Sequence, residues 1–263
     1  MKTAPLSKNH QKRIRSLHHK KYREEEGTFI AEGFNAFAAA IRTGRHLIGE
    51  VIIEHDHLAR IRQSIAHAGW RHDIAVYTCT PQEMTRISTE ITPQGVITVC
   101  HRHHFDFDDL QRHHDNTIIY CEKISDPGNL GTILRTAAWF GITQVLLGPY
   151  CVDPFNTKAI RSSAGAFFNM ELYTSVKLRE LSDFAARNNF QMIATVPRGG
   201  ISIRNWEKPD KTIILLGHEA SGLSPELVEL AQRHVSIPGS EDVESLNLAV
   251  AAAIIMYEVT AKL

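Results

Sequence analysis

Three stretches of this 263-residue chain set polar side chains among glycines and prolines at spacings that chemistry can use. The first is Asp126-Pro127-Gly128-Asn129-Leu130-Gly131-Thr132-Ile133-Leu134-Arg135. It follows an apolar run and leads into a helical pattern. Glycines let the backbone approach a ligand closely, and free N–H groups at a helix start favour an anion. Arg135 falls about one and a half turns into that helix. The second stretch is Leu215-Leu216-Gly217-His218-Glu219-Ala220-Ser221-Gly222-Leu223-Ser224-Pro225, where a buried strand ends in a loop with one carboxylate between two glycines. Ser224 as cap and Pro225 at the first helical position mark the next helix. A carboxylate at the C-terminal edge of a parallel sheet stands where α/β proteins gather functional groups. The third is Val235-Ser236-Ile237-Pro238-Gly239-Ser240, followed by Glu244-Ser245-Leu246-Asn247-Leu248-Ala249. A loop there runs into a small-residue helix with Ser245 and Asn247 at its start, where side chains cap and N–H groups stay free. Taken singly, each stretch also reads as ordinary structure: a capped turn with a surface arginine, an exposed loop glutamate, a capped core helix.

The elements that must hold these stretches follow from hydrophobic pattern. Short apolar runs at 117–120, 145–147, 192–195 and 212–216, with helical segments between them, predict a parallel sheet covered on both faces. The first half predicts a smaller α/β unit: a helix over 6–23 ended by Gly27, a strand at 28–32, and a helix over 34–42 closed by Gly44. A strand at 50–53, a helix over 58–68 and strands at 74–77 and 95–99 follow. Between the halves, residues 101–116 carry His101, His103, His104, His113 and His114 among Asp106, Asp108 and Asp109. Their spacing fits no compact metal site, so the segment reads as a polar linker.

Composition bounds the partners. Hydrophobic residues make up 43% and charged residues 22%, with a formal net charge of zero, as in an ordinary globular protein. The charge is unevenly placed. Lys2, Lys8, Lys12, Arg13, Arg15, Lys20, Lys21 and Arg23 crowd the start with no acidic residue among them. Lys8, Lys12, Arg13, Arg15, Lys20, Lys21 and Arg23 are therefore candidate RNA-binding residues, in salt-dependent contact with phosphates. A solvated basic helix face is the plainer alternative. The longest apolar run, 248–256, is too short to span a bilayer, and the start lacks a signal-peptide core, so a cytoplasmic protein without membrane partners is expected. Cys79, Cys100, Cys121 and Cys151 form no C-x-x-C pair and read as reduced thiols, with no metal expected. Neither G-x-G-x-x-G after the first strand nor G-x-x-x-x-G-K-[ST] occurs, which counts against a dehydrogenase and a phosphate-loop NTPase.

In their order and combination, the three stretches resemble the motifs of the SpoU (TrmH-like) branch of the SPOUT methyltransferases, over about residues 117–263. The first half, with Phe29-Ile30-Ala31-Glu32-Gly33 and Pro93-Gln94-Gly95-Val96, is similar to the substrate-binding domain that many SpoU enzymes carry, itself similar to a small ribosomal RNA-binding protein. The resemblance implies an α/β chain whose C-terminal parallel-sheet SPOUT domain holds a deep trefoil knot. It divides the chain into an RNA substrate-binding domain at 1–105, a linker at 106–116 and a methyltransferase domain at 117–263. It implies S-adenosylmethionine-dependent methyl transfer to a ribose 2′-hydroxyl of RNA by a homodimer. The two-domain layout favours ribosomal over transfer RNA. Carried over by position, Asn129, Arg135, Glu219, Ser245 and Asn247 become the catalytic set. The cofactor set comprises Thr195, Pro197 and Gly199, then Leu216, Gly217 and Glu219, then Ile237, Pro238, Leu246, Asn247 and Ala249. An arginine is essentially always protonated, so Arg135 is expected to stabilise a developing alkoxide, with a phosphate or Glu219 near the proton. This chain departs from the family pattern at His218 and Ala220, where asparagine and glycine are common, and at Ala249, where serine is frequent. Pro238-Gly239 is also less hydrophobic than the usual Ile-Pro-Met. The rival is a non-catalytic RNA-binding protein that keeps the fold, but such a protein has no need of Arg135, Glu219, Ser245 and Asn247 together.

Overall fold

A computed structural model describes residues 3–44, 48–69, 74–112, 115–240 and 242–260; Lys2, His113 and His114 lie outside them. The elements begin with β1 (Thr3–Pro5), α1 (Lys8–Ser16), α2 (Lys20–Glu26), β2 (Thr28–Glu32), α3 (Phe34–Thr43) and β3 (Ile48–Glu54). Next come α4 (Leu58–His67), β4 (Ala75–Cys79), α5 (Pro81–Ile87), β5 (Val96–His101), α6 (Phe107–Arg112) and β6 (Thr117–Cys121). Then follow α7 (Pro127–Trp139), β7 (Gln144–Leu147), α8 (Thr157–Ser162), β8 (Glu171–Thr174), α9 (Leu178–Arg187) and β9 (Gln191–Thr195). The last are β10 (Ile201–Ser202), β11 (Thr212–Leu216), α10 (Pro225–Leu230), β12 (Arg233–Ser236) and α11 (Leu248–Thr260). Among the described residues no helix is long and apolar enough to cross a membrane.

One compact unit consists of Met1–His103 and Asp153–Asn169. Its sheet runs β1-β4-β3-β5-β2, with β5 antiparallel to both neighbours. Ile14 and Leu17 near α1, Ile30, Ile52, Ile97 and Val99 on the strands, and Met84 and Ile87 of α5 form a core. The expected helix over 6–23 is in fact two helices. Arg23 donates from Nη1 to the carbonyls of Leu17 and His18, which an unbroken helix would give to the N–H groups four residues on. Its Nη2 lies 2.6 Å from Asp153 Oδ2, with both side chains nearly out of solvent. Arg23 therefore serves the fold and is withdrawn from the RNA-binding set. Arg13 is also largely spent, on Glu26 at 2.8 Å and Glu50 at 2.5 Å.

Asp153–Asn169 lies within the segment assigned by sequence to the methyltransferase domain, yet it packs on this unit. Phe155, Phe167 and Phe168 surround Phe29, with ring centroids 5.1, 5.5 and 6.2 Å away. Nothing local in the sequence announces a pairing across that separation. The expected linker at 106–116 also differs, because it holds α6, whose Leu110 is fully buried in the second unit's core.

The second unit consists of His104–Val152 and Met170–Leu263. Its seven-stranded sheet runs β10-β12-β9-β11-β6-β7-β8, and every pairing is parallel, as the short apolar runs predict. The apolar runs do not announce β8, β10 or β12. In β12 only Val235 is buried, so its hydrophobic signal is one residue wide. β12 lies between β9 and β10, so the short segment joining those two strands must pass the end of β12. Gly200 makes that passage close: a Cβ there would stand 2.7 Å from the carbonyl carbon of Val235. Beside the sheet, α7 packs against α11.

Removing one partner of the buried Arg23–Asp153 pair leaves a charge without a counter-ion in a low-dielectric site. Arg23→Ala is expected to lower the unfolding free energy by about 3–5 kcal/mol in urea titration. Arg15→Ala on the exposed helix face should change it by less than about 0.5 kcal/mol.

Candidate functional site

Parallel strands release their loops at one edge, and β9, β11 and β12 are neighbours. Thr195, Leu216 and Ser236 end these strands, so the loops they release, at 196–200, 217–224 and 237–247, leave the sheet together. β6 ends beside β11, with Leu216 paired to Cys121. The segment from Glu122 to α7 therefore meets the Glu219 loop at the same edge.

The second loop is tightly folded. His218 and Gly222 exchange backbone hydrogen bonds of 3.0 and 2.9 Å. A Cβ on Gly217 would stand 2.3 Å from Gly222 C and from Leu223 N, so only glycine fits there. Glu122, buried at the end of β6, accepts the Ser224 N–H at 2.6 Å and ties the far side of the loop to the sheet.

This tether delivers Glu219 to the start of α7. Asp126 caps that helix by accepting the Asn129 N–H at 2.8 Å, and Pro127 occupies the first turn, where a missing N–H costs nothing. Glu219 Oε1 accepts from Asn129 Nδ2 at 3.1 Å and from Asp126 N at 3.4 Å. Its Oε2 accepts from Ser125 N at 3.4 Å and Ser125 Oγ at 3.3 Å. On the other side, Asn247 Nδ2 donates to Asn129 Oδ1 at 3.2 Å. Asn247 also caps α11, accepting from Ala249 N at 2.9 Å and Val250 N at 3.3 Å. An ionised carboxylate only accepts, so it turns the Asn129 amide nitrogen toward itself and leaves the carbonyl oxygen for Asn247. One side chain from each of the three stretches is thus joined in a single line.

The electrostatics agree with an ionised Glu219. Burial pushes its pKa up. Hydrogen bonds from Asn129, from its own backbone N–H and from the N–H groups of Asp126 and Ser125 outweigh that and hold it below the ordinary glutamate value. The thiol of Cys121, fully buried nearby, is driven well above its ordinary value by the same loss of solvent.

Residues 116–257 match the SpoU rRNA Methylase family. The chain belongs to the SpoU methylase family. Residues 8–98 of this SpoU methylase match the MRM3-like substrate binding domain. It is 30% identical to an uncharacterized tRNA/rRNA methyltransferase of Synechocystis, over 94% of this chain and 89% of that protein. It is 27% identical to the 23S rRNA (guanosine(2553)-2′-O)-methyltransferase of Bacillus subtilis, over 98% of both. Among solved structures, the rRNA methyltransferase of Sinorhizobium meliloti with AdoMet bound superposes with a TM-score of 0.86 at 26% identity, covering 100% of this chain and 98% of that one.

Not every expected site residue of this SpoU methylase enters the cluster. Asn129, Glu219 and Asn247 do. Ser245 is exposed and makes no hydrogen bond among the described residues. Arg135 lies six residues beyond Asn129, about 9 Å along α7 and roughly 240° around it. It is exposed and has no hydrogen bond or ion pair among the described residues. Thr195, Leu216, Gly217 and Ile237 are buried or half-buried at the strand ends, Ala249 is buried in the first turn of α11, and Pro197, Gly199, Pro238 and Leu246 are exposed around them. Glu122, Ser125 and Asp126 were not singled out by sequence reasoning. An acid directly after the apolar 117–121 run, and an aspartate before Pro127, were the available signals. A cavity of about 490 Å³ lined by Gln191, Trp206, Lys208 and Arg233 lies instead at the starting ends of β9 and β12. The joined side chains, not that hollow, mark the site.

A carboxyl held below its ordinary pKa stabilises the fold above the unfolded value and loses that contribution as pH falls through the folded value. The stability difference between the native protein and Glu219→Gln should therefore be largest near neutral pH. It should shrink as pH drops through and below the ordinary glutamate value of about 4.3, in denaturant titrations at a series of pH values.

Proposed function

We propose that this chain is an S-adenosylmethionine-dependent RNA (ribose-2′-O)-methyltransferase acting on ribosomal RNA. The observation that carries the reading is the Asn247–Asn129–Glu219 line, which ties three loops at one edge of a parallel sheet. The relatives support the substrate, since the Bacillus protein is named for a 23S rRNA guanosine 2′-hydroxyl and the Sinorhizobium protein for rRNA. The edge also fits the cofactor: it offers backbone groups and small side chains at Gly199, Gly217 and Ala249 together with one ionised carboxylate, which suits a molecule carrying a sulfonium cation. When bound, the cofactor supplies an electrophilic methyl group. Thr195, Pro197, Leu216, Ile237, Pro238 and Leu246 would shape its seat, and alignment of the hydroxyl for in-line attack is the chain's main contribution. Arg135 remains free to meet a ribose or phosphate and to stabilise developing negative charge there. The hydrogen bonds that Glu219 already accepts make it an organiser of the site rather than a mobile base. Ser245, exposed at the rim, is assigned to contact with substrate or cofactor.

We assign RNA capture to the first unit. Lys8, Lys12 and Arg15 stand at i, i+4 and i+7 on α1, all exposed, so one helix face presents three cations. Lys20 and Lys21 add to it, each beside a glutamate four residues on at 3.7 and 3.8 Å. A homodimer is supported by apolar side chains left in water on paired helices: Trp139 of α7 is 84% exposed, and Val250 and Tyr257 of α11 are 49% and 57% exposed. Such a face seeks a partner, and a second copy would cover it. The insertion of β12 between β9 and β10 supports a knotted C-terminal region. Ribosomal RNA as substrate supports a cytoplasmic location.

Incubation with methyl-labelled S-adenosylmethionine and unmodified ribosomal RNA should place label in a 2′-O-methylnucleoside. Arg135→Ala should lose at least about a hundredfold in rate while keeping cofactor affinity, as expected for charge stabilisation in the transition state. Label in transfer RNA alone would overturn the substrate assignment. Reversing Lys8, Lys12 and Arg15 to glutamate should weaken RNA binding and flatten its salt dependence by roughly one unit of slope for each phosphate no longer neutralised. These substitutions are preferable to truncation near residue 105, which would strip Phe155, Phe167 and Phe168 of their partner Phe29.

A further inference from the structure

His218 stands where the resemblance to the SpoU motifs leads to an expectation of asparagine, and the loop shows what it does there. Its Nδ1 accepts the Ala220 N–H at 3.1 Å and the Ser221 N–H at 3.2 Å. An asparagine side-chain oxygen is bonded to Cγ, as Nδ1 is, and closes turns by accepting N–H groups two and three residues on. A nitrogen that accepts two N–H groups carries no proton, so the neutral ring has its hydrogen on Nε2. That side faces Glu219, with Nε2 3.9 Å from Oε2.

We propose that His218 is the positioning residue of the Glu219 loop, its Nδ1 replacing an asparagine oxygen, and that this makes cofactor binding depend on a neutral imidazole. Asparagine has no proton to gain. A protonated imidazole donates from both nitrogens, so its Nδ1–H would confront two N–H donors and both hydrogen bonds would break. The turn at 218–222 would then rest on the two His218–Gly222 backbone bonds alone. Among the described residues, the carboxylate beside the ring is Glu219 on the same loop. Glu122 from β6 and Asp126 at the start of α7 are engaged by Ser224 N–H and Asn129 N–H. The inference rests on the reading of this edge as the cofactor seat.

The test uses the full-length protein with His218→Asn and His218→Ala. Nitrogen-15 NMR of the imidazoles, with the His218 signals assigned by their disappearance in His218→Asn, should show a bare Nδ1 and a protonated Nε2 near pH 8. Calorimetry with S-adenosylmethionine should show affinity falling roughly tenfold or more between about pH 8 and pH 5.5 in the native protein, the scale of two broken hydrogen bonds. His218→Asn should bind almost equally at both pH values, and His218→Ala weakly at both. A protonated Nδ1 in the neutral ring would overturn the proposal. So would a His218→Asn variant as weak as His218→Ala, or one that keeps the native pH dependence. Native-strength binding by His218→Ala, with a bare Nδ1 still observed in the native protein, would sink the link to the cofactor and count against the seat itself. Absence of any cofactor heat in the native protein would overturn the seat, leaving the NMR result to decide the role in the turn.

Discussion

Glu219 is a partly buried carboxylate, and burying charge is costly unless hydrogen bonds replace water. Here Asn129, Ser125 and Asp126 supply them, all from the first turn of one helix or the residues just before it. The arrangement is mutual. The helix start has N–H groups in need of acceptors, and the carboxylate needs donors. Because Glu219 must accept, it fixes which way the Asn129 amide points, and that choice fixes what Asn247 can bond. Three loops far apart in sequence are held in register by the sign of one charge.

The sheet makes that meeting possible. Only parallel strands deliver successive loops to the same edge, and only adjacency of β9, β11 and β12 brings these loops side by side. Insertion of β12 between β9 and β10 forces backbone against backbone, which is why Gly200 tolerates no side chain. Gly217 carries the same constraint within its own loop. The glycines thus answer to backbone approach first, and openness to a ligand is a consequence of the same crowding.

Much of this is legible in the residues alone. The strands at 28–32 and 212–216 lie where the apolar runs place them, and Gly27 and Gly44 close their helices in the left-handed conformation, as expected of glycine after a helix. Asn129, Glu219 and Asn247 can be named because their neighbours form motifs. What cannot be read depends on contacts across sequence distance. The break between α1 and α2 exists because Arg23 finds Asp153, and the excursion of Asp153–Asn169 into the first unit exists because Phe29 needs three aromatic neighbours. β12 escapes notice because a strand of Arg233, His234, Val235 and Ser236 hides its one buried residue among polar ones. Similarly, Lys8 and Arg23 are alike in composition, but one is exposed and the other is a structural cation.

If the orientation of Asn129 is what couples the loops, Glu219 and Asn247 must feel each other although they do not touch. A double-mutant cycle on S-adenosylmethionine affinity, with Glu219→Gln and Asn247→Ala, measures this most directly. The expected coupling is roughly 0.5–3 kcal/mol, and it should disappear when the cycle is repeated on an Asn129→Ala background. Additive effects within about 0.3 kcal/mol, or a coupling that survives the removal of Asn129, would contradict it.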